Sequence, residues 1–177
     1  MGGRNRQAQY NKQVIGGEGS DEATFLKYID SLYNNDGNHP RITNCHGGNP
    51  KKVVWTLRNT TPQLGAYKNR TVLFDDDKGE KEVIKGLGEA SKIPDIKCIV
   101  AQGCFECEML KIRGVSGGVL KKARKDSDFA KKEFAKICDR SLSGSKLSYS
   151  KVYSKVKLDS ERRRSKWLNA VISLFEC

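Results

Sequence analysis

Apolar residues recur at helical spacing in three stretches of the chain. From Asp21 to Asn34 they repeat every three or four residues behind acids that favour a helix start, which predicts a first helix. From Gly118 to Leu142 an apolar stripe runs beside lysines on the remaining surface, and this is the clearest helix pattern in the sequence. Residues 167–175 are strongly apolar and predict a helix that must be buried in the core or against another subunit.

The middle of the chain has the pattern of short strands. Residues 53–57, 71–74 and 96–101 are brief apolar runs, and residues 106–112 are a further strand candidate. A short helix is predicted over 80–90, although two glycines weaken it. We therefore expect a mixed α/β (α+β) fold, with a small strand region in the middle and a helical, basic C-terminal part.

The first twenty residues are polar and rich in Gly and Gln, which predicts a flexible arm at 1–20. Residues 21–177 are expected to form a single domain, because a chain of this length can bury a core of its own. No apolar run approaches the roughly 18 residues that a membrane span needs, and no apolar leader segment opens the sequence. These features predict an intracellular protein, cytoplasmic or nuclear, whose six cysteines are thiols or metal ligands.

Positive charge is concentrated at the C-terminal end of the chain. The net charge is +12, and residues 114–177 contribute 16 basic and 7 acidic residues to it. A regional excess of this kind produces a local field that attracts polyanions. It predicts a nucleic-acid partner, RNA before DNA or another polyanion, bound through backbone phosphates with little sequence specificity.

Three arginines stand where the first turn of the last helix is predicted. Cations at a helix start oppose the helix dipole at about 0.3–1 kcal/mol each, which indicates a role such as phosphate contact. Tyr149 and Tyr153 either stack on exposed bases or form the buried face of a helix. The predicted nucleic-acid surface comprises Arg162, Arg163, Arg164, Lys166, Lys121, Lys122, Lys125, Lys151, Lys155, Tyr149 and Tyr153.

A Cys-x2-Cys pair predicts one possible metal site. Zinc takes four tetrahedral nitrogen or sulfur ligands, and here they would be Cys104, Cys107, Cys45 and His46, or His39 in place of His46. The chain has no second Cys-x2-Cys pair and no closely spaced histidine pair. Buried thiols without metal are therefore the favoured alternative.

A run of three aspartates follows the apolar residues 71–74. Carboxylates at the end of a strand can hold Mg²⁺, and the spacing of Asp75 and Asp77 resembles the phosphatase motif of the haloacid dehalogenase family. That motif requires a hydroxyl residue where this chain has Gly79, so a solvated turn is the favoured interpretation. With no nucleophile-and-base constellation, the sequence leans against an enzyme.

Three hypotheses about function follow. In size, basic charge, polar start and lack of a catalytic motif the chain resembles small viral RNA-binding or nucleocapsid-type proteins, which implies RNA binding. The alternative is a protein-interaction or self-assembly module that forms a homo-oligomer through residues 167–175. Zinc is a candidate for stabilising such a module. A Mg²⁺-dependent phosphoryl enzyme around Asp75 and Asp77 is the third hypothesis.

Overall fold

The computed structural model describes residues 13–60, 67, 69–138 and 146–176. Within them, strands and helices alternate as far as the fourth strand, and only helices follow, which confirms the predicted mixed α/β class. The strands are β1 (Gln13–Gly17), β2 (Arg41–Asn44), β3 (Asn69–Asp75) and β4 (Ile96–Ala101). The helices are α1 (Ser20–Tyr33), α2 (Pro50–Thr60), α3 (Glu80–Ala90), α4 (Phe105–Arg113), α5 (Gly117–Ala123), α6 (Ser127–Ile137), α7 (Lys146–Val152), α8 (Lys155–Arg162) and α9 (Lys166–Ile172).

The four strands form one parallel sheet in the order β2-β1-β3-β4. The chain moves outward from β1 to β2, then returns past β1 to β3 and continues to β4. Because parallel crossovers are right-handed, this reversal puts α1 on one face of the sheet and α2 and α3 on the other. The carboxyl ends of β1 and β3 therefore flank the point at which the strand order reverses, where open α/β sheets leave a crevice.

Both faces of the sheet are covered, and successive side chains of its strands enter two different cores. Val14 and Val72 pack in a core with α2 and α3, whereas Ile15 and Leu73 pack in a larger core with α1 and the C-terminal helices. The sequences of strands that are buried on both faces are continuous apolar runs, without the alternation of apolar and polar residues that half-buried strands show. This arrangement explains why the runs at 71–74 and 96–101 were recognisable as strands.

Two predicted strands are helices in the structure. Residues 53–57 belong to α2, which starts at a proline and buries Val53, Val54 and Leu57 while Trp55 on its other side is 55% exposed. Residues 106–112 belong to α4. Short apolar runs cannot be assigned to strand or helix by periodicity alone, and here the tertiary packing selects the helix.

The predicted helix from Gly118 to Leu142 is divided. A new helix cap lies inside the predicted helix. The side chain of Asp126 accepts a hydrogen bond from the N–H of Phe129 at 2.9 Å, and α6 begins directly after Asp126. Residues 139–145 lie outside the described residues. The break lets α5 and α6 change direction and pack separately around α4, which a single straight helix could not do.

Part of the predicted arm belongs to the fold. Residues 13–17 form β1, an internal strand of the sheet, and Val14 and Ile15 are completely buried. Residues 1–12 lie outside the described residues. The predicted arm was therefore too long, since residues 13–20 belong to the fold. Two apolar residues beside glycines are too few to show the periodicity of a strand.

The apolar face of residues 167–175 is buried inside the chain. Trp167 is 7% exposed, and Leu168, Val171, Ile172 and Phe175 are at most 2% exposed. This face packs against α1 and α8 and is not available for the predicted homo-oligomer. None of the helices in the described part of the chain has the length and apolar character needed to cross a bilayer.

Candidate acidic site

A cavity of about 400 Å³ opens at the carboxyl ends of β1 and β3, at the reversal of the strand order. Its walls come from the loop after β1, the first turn of α1, the end of β3 and the first turn of α4. Carboxylates dominate these walls, with two lysines beside them. The carboxylates are Glu18, Asp21, Glu22, Asp75, Asp77 and Glu106, and the lysines are Lys78 and Lys131.

Glycines bring the acids of the first loop against the sheet. A Cβ on Gly17 would lie 2.9 Å from Cβ of Glu22 and 3.0 Å from the backbone nitrogen of Ala23, so α1 starts in close contact with β1 only because this position has no side chain. The N–H of Gly19 then donates to Oε2 of Glu22 at 3.0 Å. These contacts turn Glu18 and Glu22 toward one cavity.

Asp75 is the central carboxylate of the site. Its backbone N–H donates to Oε2 of Glu18 at 3.0 Å, and its carboxylate accepts a hydrogen bond from the backbone N–H of Phe105. Burial, followed by the charges of Glu22 and Glu18, raises the pKa of Asp75 from 3.8 to about 9. Asp75 is thus not part of the solvated turn that the sequence favoured.

The two neighbouring aspartates have different roles. Asp76 accepts a hydrogen bond from the N–H of Gly103 at 2.5 Å and so ties the end of β3 to the turn before α4. Asp77 is exposed at the rim of the cavity, 3.5 Å from Nζ of Lys78. Only Asp75 and Asp77 of the run face the cavity.

Two glutamates in the cavity also hold their protons more tightly than usual. Burial, assisted by the charges of Glu106 and Glu18, raises the pKa of Glu22 to about 7. Burial also raises the pKa of Glu18, with a smaller contribution from the charge of Asp77. A carboxyl group whose pKa lies near 7 can take up and release a proton at neutral pH, which makes Glu22 a candidate for proton transfer.

Glu106 adds a further carboxylate to the wall of the cavity, where it is 6% exposed. The nearby Glu108 is more deeply buried, at 2%. Its Oε1 lies 3.4 Å from the backbone nitrogen of Gln102, and its Oε2, 3.7 Å from Nζ of Lys111, has no hydrogen-bond partner among the described residues. A cavity lined by so many carboxylates favours a positively charged ligand.

The structure separates the predicted zinc ligands. Cys104 and Cys107 lie at the start of α4 with their sulfurs 3.0 Å apart, whereas Cys45 belongs to the core on the other face of the sheet and His46 is exposed. Within the described residues, no group of three or more His, Cys, Asp or Glu side chains is placed so that it could hold a metal ion. The three cysteines predicted as zinc ligands are all buried, in agreement with the favoured alternative of buried thiols.

The predicted arginine cluster lies at the end of a helix, not at the start of one. Arg162 is the last residue of α8, and α9 begins only at Lys166, behind its cap Ser165. Cations near a helix C-terminus are stabilised by the dipole, so the predicted conflict with the dipole was wrong. Arg162 also pairs with Glu176, with one N–O distance of 2.8 Å, and donates to Asn169.

Other residues of the predicted nucleic-acid surface are occupied by contacts within the chain. Tyr149 is 4% exposed and Tyr153 is completely buried, and their hydroxyl groups donate to the carbonyls of Asp21 and Met109, both at 3.0 Å. This confirms the buried-face alternative for both tyrosines. Lys155 donates to the carbonyl of Leu32 at 3.0 Å.

Exposed cations lie on α5, on α6 and in the turn between them. Lys121, Lys122 and Lys125 are exposed as the sequence suggested, and Lys131, which was not among the predicted site residues, reaches the cavity itself. Arg124 lies beside the turn before α4, with its Cα 3.5 Å from the position that a Cβ on Gly103 would take. Lys151, Arg163 and Lys166 are exposed on the later helices.

Sequence reasoning missed Glu18, Glu22, Glu106 and Lys131. A usable signal was present for the first two, since Gly-Gly-Glu-Gly-Ser-Asp-Glu places glycines and acids directly after two β-branched residues. Comparison with protein-family models, with curated proteins and with solved structures gives no significant match.

Proposed function

We propose that the chain is a divalent-cation-dependent enzyme that transfers or hydrolyses phosphate esters at the acidic site. The observation that carries the proposal is the hydrogen bond from the backbone N–H of Asp75, at the end of β3, to the carboxylate of Glu18, directly after β1. These two strands flank the reversal of strand order. The buried Glu106 lines the same cavity. Ligands of open α/β sheets bind at this position in the fold.

The donor atoms in the cavity suit Mg²⁺ or Mn²⁺. Both are hard cations that prefer oxygen ligands, and Mg²⁺ commonly uses one or two carboxylates, several waters and a substrate phosphate. A closed cage of protein ligands is therefore not needed. Asp75 and Asp77 would hold the cation together with waters and the substrate phosphate, and Glu18 would support Asp75 from behind; the cation would polarise a phosphoryl oxygen.

Charge repulsion supports a cation in the same place. The pKa of Asp75 is raised partly by the charges of Glu22, Glu18 and Glu106, so these carboxylates disfavour each other's ionisation. A bound divalent cation reverses that effect, because it stabilises every ionised carboxylate around it. Cation binding should therefore release protons from the site at neutral pH.

We infer further that the substrate is a nucleic acid, with intracellular RNA as the first choice. The basic region that suggested a polyanion partner includes α5 and α6, which carry seven basic and three acidic residues between 117 and 137. Lys131 of α6 lies in the wall of the acidic cavity. A phosphate backbone held by these cations would bring a phosphodiester to the carboxylates.

The test is a cleavage assay on labelled RNA and DNA with Mg²⁺, with Mn²⁺ and with chelator. We expect cleavage only with a divalent cation, and a loss of at least about a hundredfold in Glu18→Gln, because even residues behind a metal ligand contribute 10–100-fold. Glu80→Gln is the matched control, since Glu80 is an exposed acid on α3. Metal-independent activity, or full activity in Glu18→Gln, would contradict the proposal.

The substrate proposal gives a separate prediction for Lys131→Gln. Losing one phosphate contact should weaken RNA and DNA binding alike and reduce the slope of log affinity against log salt by about 1. Lys136→Gln is the control on the same helix, because Lys136 is paired with Glu133 at 2.5 Å. Equal salt slopes for the two variants in fluorescence anisotropy titrations would place the polyanion elsewhere.

A further inference from the structure

Two thiols lie on either side of Phe105 and Glu106 at the start of α4. Cys104 is the cap residue of the helix, Cys107 lies in its first turn, and their Sγ atoms are in hydrogen-bonding contact at 3.0 Å. A disulfide requires a separation of about 2.05 Å, so a shift of roughly 1 Å would allow the bond to form. Residues at the start of a helix can make such a shift without disturbing the sheet.

The thiol pair is connected to the acidic site through the chain between the two sulfurs. Cys104 lines the cavity, and so does Glu106. The N–H of Phe105 donates to the carboxylate of Asp75. A movement of the first turn of α4 that joins the two sulfurs would also displace this N–H and Glu106.

We propose that Cys104 and Cys107 form a reversible disulfide that controls the acidic site. With a peroxide as oxidant, one thiol becomes a sulfenic acid while the peroxide O–O bond breaks and water leaves. The second sulfur then attacks the first, the S–S bond forms, and the departing hydroxide takes up the remaining proton as water. In total the two thiols lose two electrons and two protons, and a dithiol reductant restores them.

The other described cysteines are poor competitors for this reaction. Cys45 lies in the opposite core. Cys98 packs against the same opposite core, and Cys138 is buried in the larger core. Cys104 differs from them because it borders an open cavity that a small oxidant can enter and has a second sulfur within contact distance.

The effect of the disulfide on the acidic site rests on the proposed function, whereas the formation of the disulfide does not. Displacing the N–H of Phe105 and the carboxylate of Glu106 should lower Mn²⁺ affinity by about 10–100-fold, as removal of supporting contacts around metal ligands does. In metal-free protein the same movement should shift the amide NMR resonances of Phe105 and Glu106. The second readout does not depend on the cation.

The experiment exposes the folded full chain to stoichiometric hydrogen peroxide and then blocks free thiols for mass spectrometry. We expect the loss of two hydrogens, mapped to Cys104 and Cys107, with full recovery after dithiothreitol. Cys98→Ser and Cys138→Ser should behave like the unaltered chain, whereas Cys104→Ser and Cys107→Ser should not form the bond. Circular dichroism shows whether each cysteine variant is folded. If one of them unfolds, the disulfide is still mapped in the unaltered chain, which tests the proposal without that variant.

Three outcomes are distinguishable. A disulfide accompanied by shifted Phe105 and Glu106 amides supports the proposal, even if Mn²⁺ binds neither form and the proposed function fails. No disulfide in the unaltered chain overturns it. A disulfide that leaves both amides and the Mn²⁺ affinity unchanged also overturns it, because the bond would then exert no control over the site.

Discussion

Replacing Asp75 by asparagine should abolish divalent-cation binding and, at the same time, stabilise the metal-free protein at alkaline pH. The first effect follows because Asp75 lies at the centre of the carboxylates and is held by the N–H of Phe105. We expect nucleic-acid cleavage to fall by at least about a hundredfold. The second effect follows from the raised pKa of the buried carboxyl group.

The sign of the pH effect follows from proton binding. Asp75 has a pKa of about 9 in the folded chain, above its ordinary value of 3.8, so the folded protein retains a proton that the unfolded chain has lost. Its contribution to stability is complete below pH 4 and is lost as the pH rises through about 9. The asparagine variant has no such proton, and its stability should change less over this range.

Thermal unfolding in chelator at several pH values, together with Mn²⁺ titration, tests both effects. Above pH 8 the Asp75→Asn variant should unfold at a higher temperature than the unaltered chain, whereas below pH 4 the difference should vanish. Asp128→Asn is the control, because Asp128 is an exposed acid on α6 whose removal should change stability by less than about 0.5 kcal/mol. Lower stability of Asp75→Asn at every pH would mean that the ionised carboxylate of Asp75 stabilises the fold, which would contradict this prediction.

The largest loss of stability is expected from Trp167→Ala. Trp167 is 7% exposed and packs between two aromatic side chains, stacked on Phe25 and edge-on to Phe105 with ring centroids 6.1 Å apart in both pairs. Large-to-small changes at such positions cost about 3–5 kcal/mol, which lowers the melting temperature by on the order of 10 °C. Because Phe105 also holds Asp75 through its N–H, cation affinity should fall as well.

The chain provides its own control for this prediction. Its only other tryptophan, Trp55, is 55% exposed on α2, and Trp55→Ala should change the free energy of unfolding by less than about 0.5 kcal/mol. Urea unfolding followed by circular dichroism measures both variants. Similar losses for the two substitutions would mean that residues 167–175 do not belong to the core.

Local patterns in the sequence were sufficient for several elements. The helix over 21–34, the helix over 80–90 and the strands at 71–74 and 96–101 agree with α1, α3, β3 and β4. In each case the side chains, the capping or turn residues and the length favour one structure. The sequence also singled out Asp75 and Asp77 as possible Mg²⁺ ligands, although it favoured a solvated turn.

Packing decided the elements whose local pattern was ambiguous. Residues 53–57 and 106–112 are apolar enough for a strand, but they form α2 and α4 because the parallel sheet needs helices to cover its faces. The arginines at 162–164 were assigned to the wrong end of a helix, because the sequence does not show that Ser165 caps a separate helix. Charge alone could not tell which cations are paired, as Arg162 is with Glu176.

The sequence by itself determined the fold class, the basic C-terminal region and the presence of carboxylates after one apolar run. Only the tertiary structure decided that these carboxylates belong to a site. Glu18, Asp75 and Glu106 are far apart in the chain, and each looks like a solvated acid in its own segment. They meet because parallel strands point their carboxyl ends to one edge of the sheet and the strand order reverses between β1 and β3. That convergence depends on strand order, which no local pattern encodes.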